Sequence, residues 1–281
     1  MVHFTETPNS KVKLQTPQFK CDFALGNHIP DPLPRKHFYM AICGSAGSGK
    51  TSMALGLLTA KGKHRIYRKV FDNIFLVVPS NSIGSLKQNV FKKHPPSKMF
   101  NSLDVETIDK INTKLQKSLD EEDDEQQTCS LVWIDDQGPF LKRPDIQTAL
   151  NEVVINRRHK RVSIMNLVQS YKFLPLSNRK LLTHLVLFKP KNKKELYSVF
   201  EELIYLDRDT VDKLCDFVYR DPHDFMFIDL ERSKFYRNFN LIEIKEKNPI
   251  TQYNARTEEQ KAQTNPEVTK AQPKAETTPE R

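Results

Sequence analysis

Apolar positions along this chain gather into short runs of strand length, separated by segments with helical spacing. His37–Cys43 (HFYMAIC), Asn73–Val78 (NIFLVV), Cys129–Ile134 (CSLVWI), Val162–Val168 (VSIMNLV) and Thr183–Lys189 (THLVLFK) read as five buried strands. Thr51–Ala60 follows the first as a helix, and residues 80–102 read as loops with a short helix. Val105–Leu119 carries Ile108, Ile111 and Leu115 at amphipathic spacing, and Ile146–Arg158 reads as a further helix. Two more helices, Glu195–Ile204 and Thr210–Tyr219, follow the fifth strand. Phe225–Leu230 and Lys234–Phe239 then form a hairpin around Glu231-Arg232-Ser233. Strands alternating with helices predict an α/β fold: a mostly parallel central sheet flanked by helices, closed by a C-terminal β-hairpin.

The ends of the chain read differently. Residues 1–34 are polar and Pro-rich, ending in IPDPLP, and predict an irregular N-terminal arm before a main domain over 35–250. After Tyr253 there is no aromatic residue, so 251–281 reads as a disordered polar tail that cannot bury enough apolar surface to fold. Asp120–Glu125 (DEEDDE) reads as an acidic surface loop. No apolar run approaches the ~20 residues of a membrane span, and MVHFTETPNSKVK lacks the apolar stretch of a secretory signal. The four cysteines form no C-x-x-C pair, which fits free thiols in a reducing, intracellular compartment.

Candidate chemistry begins at the tip of the first strand. GSAGSGKT, comprising Gly44, Ser45, Ala46, Gly47, Ser48, Gly49, Lys50 and Thr51, fits G-x-x-x-x-G-K-[ST] at every fixed position. The glycines let the backbone wrap so that successive N–H groups and a helix N-terminus point at phosphates. Lys50 would reach the β- and γ-phosphates of ATP, and the Thr51 hydroxyl would ligate Mg²⁺. CSLVWIDD supplies the complementary acid: Asp135 at a strand tip for the magnesium shell, then Asp136 to polarise the attacking water. Gln169 ends the fourth strand, where an amide can sense the γ-phosphate or orient water; the plain alternative is a residue capping the strand. Arg157, Arg158 and Arg179 are candidates for a charge lent to a neighbouring subunit's ATP, against a plain surface role for each. No Ser-His-Asp arrangement, zinc cluster or two-metal nuclease constellation is evident.

Charge adds a partner. The net formal charge is +9, and the tail from Arg256 to Arg281 is neutral, so the excess lies elsewhere. It concentrates at Lys61–Lys69 (KGKHRIYRK), Arg157–Arg161 (RRHKR) and Lys189–Lys194 (KPKNKK). One such run is usually a solvated face; three in a nucleotide-hydrolysing chain point to nucleic acid.

The run Asn156–Pro190 (NRRHKRVSIMNLVQSYKFLPLSNRKLLTHLVLFKP), with GSAGSGKT and LVWIDD, resembles the genome-packaging ATPases of large eukaryotic DNA viruses, virophages and Polinton-like elements. These are the poxvirus-type members of the FtsK–HerA superfamily of P-loop NTPases. The features that carry the resemblance are Arg158-His159, Gln169-Ser170, Leu174-Pro175 and Arg179, together with the late FMFIDL and KFYRNF strands. It covers roughly Phe38 to Phe239. The resemblance implies a homo-oligomeric ring that threads double-stranded DNA into a preformed capsid, powered by ATP and Mg²⁺. Gln169 is then the sensor glutamine, Arg179 the first choice for the finger acting on a neighbour, and Arg158 the second. Asp136 stands where such ATPases commonly have Glu. The absence of a terminase-type nuclease domain predicts translocation without genome cutting. Capsid-vertex or membrane-associated virion proteins are the further partners implied, and the viral factory and the virion the locations. The rival readings are a helicase-like nucleic-acid motor, a nucleoside or nucleotide kinase, and a non-catalytic scaffold. A scaffold has no reason to keep Lys50, Thr51, Asp135 and Asp136 together.

Overall fold

A computed structural model describes residues 24–80, 82, 91–121, 127–204 and 206–244. The expected tail at 251–281, most of the acidic loop at Asp120–Glu125, residues 1–23 of the arm and much of the short helix expected within 80–102 lie outside them. Every element below belongs to Met1–Ile242, one of two units into which the chain divides; the other is Glu243–Arg281.

The five expected strands form where the apolar runs are. They are β1 (Tyr39–Cys43), β2 (Asn73–Val77), β4 (Ser130–Asp135), β5 (Val162–Val168) and β6 (His184–Phe188). A short β3 (Met99–Phe100) and a C-terminal meander of β7 (Phe225–Asp229), β8 (Lys234–Arg237) and β9 (Asn240–Ile242) complete one sheet of order β3-β2-β4-β5-β1-β6-β7-β8-β9. Pairing is parallel from β3 through β6 and antiparallel from β6 to β9. In β1, β4, β5 and β6 every residue is buried. Such continuous burial is what a parallel sheet covered on both faces requires.

Alternation along the strands divides the core in two. Tyr39, Ala41 and Cys43 of β1 face one side with Val132 and Ile134 of β4. That side is covered by α2 (Val105–Asp120), α3 (Pro144–Ile155), α5 (Lys193–Leu203) and α6 (Arg208–Val218), with the one-turn α4 (Leu176–Arg179) between β5 and β6. Met40, Ile42, Leu131 and Trp133 face the other side, where α1 (Lys50–Thr59) lays Ala54 and Leu57. Ile29 and Leu33, from the irregular stretch before β1, belong to this second core. Asp104 caps α2 by accepting from Thr107 N at 2.7 Å. Asn192 and Asp207 do the same for α5 and α6, each holding an otherwise orphaned first-turn N–H.

Two strands went unexpected. Two-residue β3 has no period of its own and is defined only by pairing Met99 with Leu76 and Phe100 with Val77. β9 is likewise a consequence of β8 turning back on itself. The helix expected over Ile146–Arg158 begins earlier, with Pro144 in its first turn, and ends at Ile155. Beyond it Arg161 adopts φ +45° as the chain turns into β5.

Candidate nucleotide site

The site lies at the carboxyl ends of the parallel strands. Gly44 leaves β1 so close to β6 that a Cβ there would stand 2.8 Å from Phe188 Cβ and 2.6 Å from Ser48 Oγ. At the other end of the loop Gly49 takes φ +107°, a conformation that frees the chain to enter α1 directly at Lys50. The loop thus delivers the amino end of α1, with its unsatisfied N–H groups, to the mouth of the sheet. Lys50 is largely buried and donates to Gly44 O at 2.6 Å and Ser45 O at 3.1 Å. Burial holds its pKa below the usual lysine value, while Asp135 and Asp136 push it back upward.

Thr51 and Asp135 meet from positions 84 residues apart, the hydroxyl donating to Asp135 Oδ2 at 3.1 Å. Burial raises the Asp135 pKa, opposed by the Thr51 hydrogen bond and by Lys50. Two oxygens about 3 Å apart are the spacing of adjacent corners in a Mg²⁺ octahedron with 2.0–2.1 Å bonds. The pair therefore fits a magnesium ion or its bound water. Asp136 is the first residue past β4 and takes φ +55°, a left-handed conformation uncommon outside glycine but tolerated by Asp. That turn swings its carboxylate out of the strand line, where Oδ1 accepts from Gln169 Nε2 at 2.9 Å. Lys50, Thr51, Asp135, Asp136 and Gln169 line one cavity of about 250 Å³, with Ala46 and Gly47 of the loop. All four acidic, basic and hydroxyl candidates of the nucleotide motifs, and the amide, are thus brought together.

The arginines are not. Arg179, at the end of α4, forms an ion pair with Glu202 at 2.7 Å and donates to Leu174 O at 2.7 Å. Its guanidinium also lies 4.8 Å from the centre of the Tyr171 ring. This residue holds α4 to α5, and within one chain it does not face the cavity. Arg158 is exposed before the amino end of β5, the far pole of the sheet from Lys50.

Sequence reasoning missed two contributors. Trp133 lines the cavity from β4, and its ring packs edge-on to Phe91 at 6.2 Å. Its place two residues before Asp135, on the same strand face, is a signal that could have found it. His223 shares a 3.0 Å hydrogen bond with Ser48 O, from a loop 175 residues further along. That loop is braced beneath it: Asp224 accepts from Asp221 N, Arg237 and Asn238, and sits far below the usual carboxylate range despite its burial. No local pattern marks His223.

Several solved structures are similar to this chain. The genome packaging NTPase B204 from Sulfolobus turreted icosahedral virus 2, in complex with sulfate, matches at 13% identity and a TM-score of 0.49, over 74% of this chain and 98% of that one. The same NTPase with ATP-gammaS matches at 12% identity and 0.46, over 72% and 96%. EssC (ATPases 2 and 3) from Geobacillus thermodenitrificans matches at 13% identity and 0.46, over 81% of this chain and 44% of that one. No curated protein matches the sequence. The profile of the poxvirus A32 protein family matches residues 28–201, which contain Gly44–Thr51, Asp135, Asp136, Gln169 and Arg179. The chain belongs to the poxvirus A32 protein family, the poxvirus-type packaging ATPases that its motifs resemble.

Proposed function

We propose that this ATPase is a double-stranded DNA translocase that loads a viral genome into a preformed capsid, working as a ring of identical subunits inside the infected cell. The observation that carries the reading is the single cavity in which Lys50, Thr51, Asp135, Asp136 and Gln169 converge, in a chain of the A32 family.

In this reading the loop amides and Lys50 hold the ATP phosphates, and Thr51 with Asp135 would hold Mg²⁺, which would supply charge stabilisation to the phosphates. Asp136 accepts the proton of the attacking water. Its hydrogen bond to Gln169 occupies one oxygen of that carboxylate, so Gln169 both aims the base and is the amide nearest an arriving γ-phosphate. A positive charge for the transition state comes from a neighbouring subunit, because neither Arg158 nor Arg179 reaches its own chain's cavity. Arg179 would have to exchange Glu202 for the neighbour's phosphate. Capsid-vertex or membrane-associated virion proteins would complete the assembly; no helix among the described residues is long and apolar enough to cross a membrane.

The test is the rate of ATP hydrolysis with and without linear duplex DNA, wild type beside Lys50→Ala. Strong stimulation by duplex, abolished in the variant, is expected. Hydrolysis indifferent to DNA would remove the translocase reading and favour a small phosphate acceptor. Strand separation in place of duplex movement would favour the helicase.

A further inference from the structure

Two of the three basic runs, far apart in sequence, come together at the pole of the sheet opposite the nucleotide cavity. Arg157–Arg161 leads directly into β5, so it lies at the strands' amino ends. α1 runs back from the carboxyl pole to the amino pole, and Lys61–Lys69 follows its last turn. Tyr67, inside that run, donates to Pro34 O at 2.9 Å and packs its ring 5.6 Å from Phe38. Phe38 in turn is tied to β5, its carbonyl accepting from Ile164 N at 2.8 Å. The stretch carrying Arg35 and Lys36 is therefore held between the two runs. A cavity of about 580 Å³ opens there, lined by Arg35, Lys36, Arg157, Arg158, Arg232 and Glu231 among others.

Among the described residues the basic groups here outnumber the acidic ones, which include Asp120 and Glu121, exposed where α2 ends ahead of β4, and Glu231, which lines that cavity. Asp229 is buried beside His184, and Asp31 pairs with Arg232 at 3.3 Å. Asp72 accepts from Cys129 N at 2.9 Å, and Glu152 is engaged by Lys160 at 3.3 Å. Lys36, Lys61, Lys63, Arg65, Lys69 and Arg158 are all exposed. The third run is different. Lys193 pairs with Asp212 at 2.8 Å, and Lys189, Lys191 and Lys193 share a cavity with Asp212 and Asp216. Lys191 does border a second cavity with Gln169, but Glu195 lines it too. Asp135, Asp136, Asp221 and Asp224 lie at the same carboxyl pole.

We infer that the amino pole, formed by Arg35–Lys36, Lys61–Lys69 and Arg157–Arg161, is the surface that grips the phosphates of duplex DNA, and that Lys189–Lys194 is not. The inference rests on the DNA-motor reading and says which face of the subunit turns to the polyanion. A surface with an excess of basic groups attracts a phosphate backbone without regard to sequence, and its contacts are lost with salt in proportion to their number.

The experiment is binding of a labelled linear duplex to the full chain at several salt concentrations, with a non-hydrolysable ATP analogue present. Lys36→Glu/Lys61→Glu/Lys63→Glu is set beside Lys189→Glu/Lys191→Glu/Lys194→Glu, and thermal unfolding checks that both fold. The first triple variant is expected to lose at least ~10-fold in affinity at low salt and to flatten the salt slope by about 2–3. The second is expected to stay within about threefold of wild type. A larger loss in the second variant than in the first, with wild type binding normally, overturns the assignment of the face alone. Wild type that fails to bind duplex at any salt overturns the face and the DNA-motor reading together.

Discussion

The two poles of the sheet are built from the same strands yet carry opposite chemistry. At the carboxyl pole, β1, β4 and β5 lead into Gly44, Asp136 and Gln169, and carboxylates are interleaved with one lysine around a cavity. At the amino pole the same strands begin after Phe38, Cys129 and Arg161, and among the described residues exposed basic groups outnumber acidic ones such as Asp120 and Glu121. In a parallel sheet every crossover returns the chain to the start of the next strand, so each strand has one end per pole and the two ends are free to specialise. The carboxyl pole takes loops that open toward a helix N-terminus and suits a bound nucleotide. The amino pole is left for a partner. A motor needs both and needs them coupled, and β1 and β5, tied by their register from Tyr39–Ile164 to Cys43–Val168, are rigid links between them.

If that division is right, the largest effect comes from disabling one pole alone. Asp136→Asn should lower ATP turnover by about 10²–10⁴-fold while duplex affinity stays within about threefold. A parallel loss of DNA binding would mean that the poles do not act separately. Gln169→Leu, similar in size but without the amide, should lower kcat by about 10–100-fold and change KM for ATP less than about threefold, since it removes the partner of Asp136 while Lys50 and the loop amides remain for the phosphates. A rise in KM with kcat intact would instead place Gln169 in ground-state binding.

The pH dependence of the metal site is a finer probe of the carboxyl pole. Burial raises the Asp135 pKa, so below that value the carboxyl is protonated and Mg²⁺ must displace the proton. Apparent Mg²⁺ affinity, measured with ATP by calorimetry, should therefore fall as pH drops, by up to about tenfold per unit, and Asp135→Asn should remove the dependence. The same shift works on the ligand-free fold in the opposite direction. A raised carboxyl pKa means the folded chain binds more protons, so this group's contribution to stability is lost as pH rises through the raised value. Asp135→Asn should flatten that fall in thermal unfolding midpoint. The smallest expected effect is at His223: His223→Ala removes one hydrogen bond to the loop and should weaken nucleotide binding by about 2–10-fold, leaving DNA binding alone. Trp133, the single tryptophan, lines the cavity, so its fluorescence can report that binding directly. An unchanged affinity would reduce His223 to a brace.

How much was legible beforehand differs between the poles for a physical reason. Gly44–Thr51 is a contiguous device whose function depends on local backbone geometry, so eight residues in a row declare it. Asp135 and Asp136 are nearly as legible, because an acid at the end of a fully apolar strand is itself a local pattern. The β-strands and main helices were readable through burial period, whereas β3 and β9 exist only through their neighbours. Arg179 illustrates the limit. Its chain position suggests a finger, but only the packing of α4 against α5 supplies Glu202, 23 residues away, as a partner.

The sequence by itself determined the α/β fold, the phosphate-binding loop, the acidic strand tip and the three basic runs, because each is written in short-range order. Tertiary structure alone decided the rest. It placed Thr51 against Asp135 and Gln169 against Asp136, and brought His223 to Ser48 across 175 residues. It also sorted the basic runs, sending Lys61–Lys69 and Arg157–Arg161 to one pole and Lys189–Lys194 to the other. Charge along a chain has a sign and a spacing but no direction; the direction comes only when antiparallel helices and parallel strands decide which end of the sheet each run must reach.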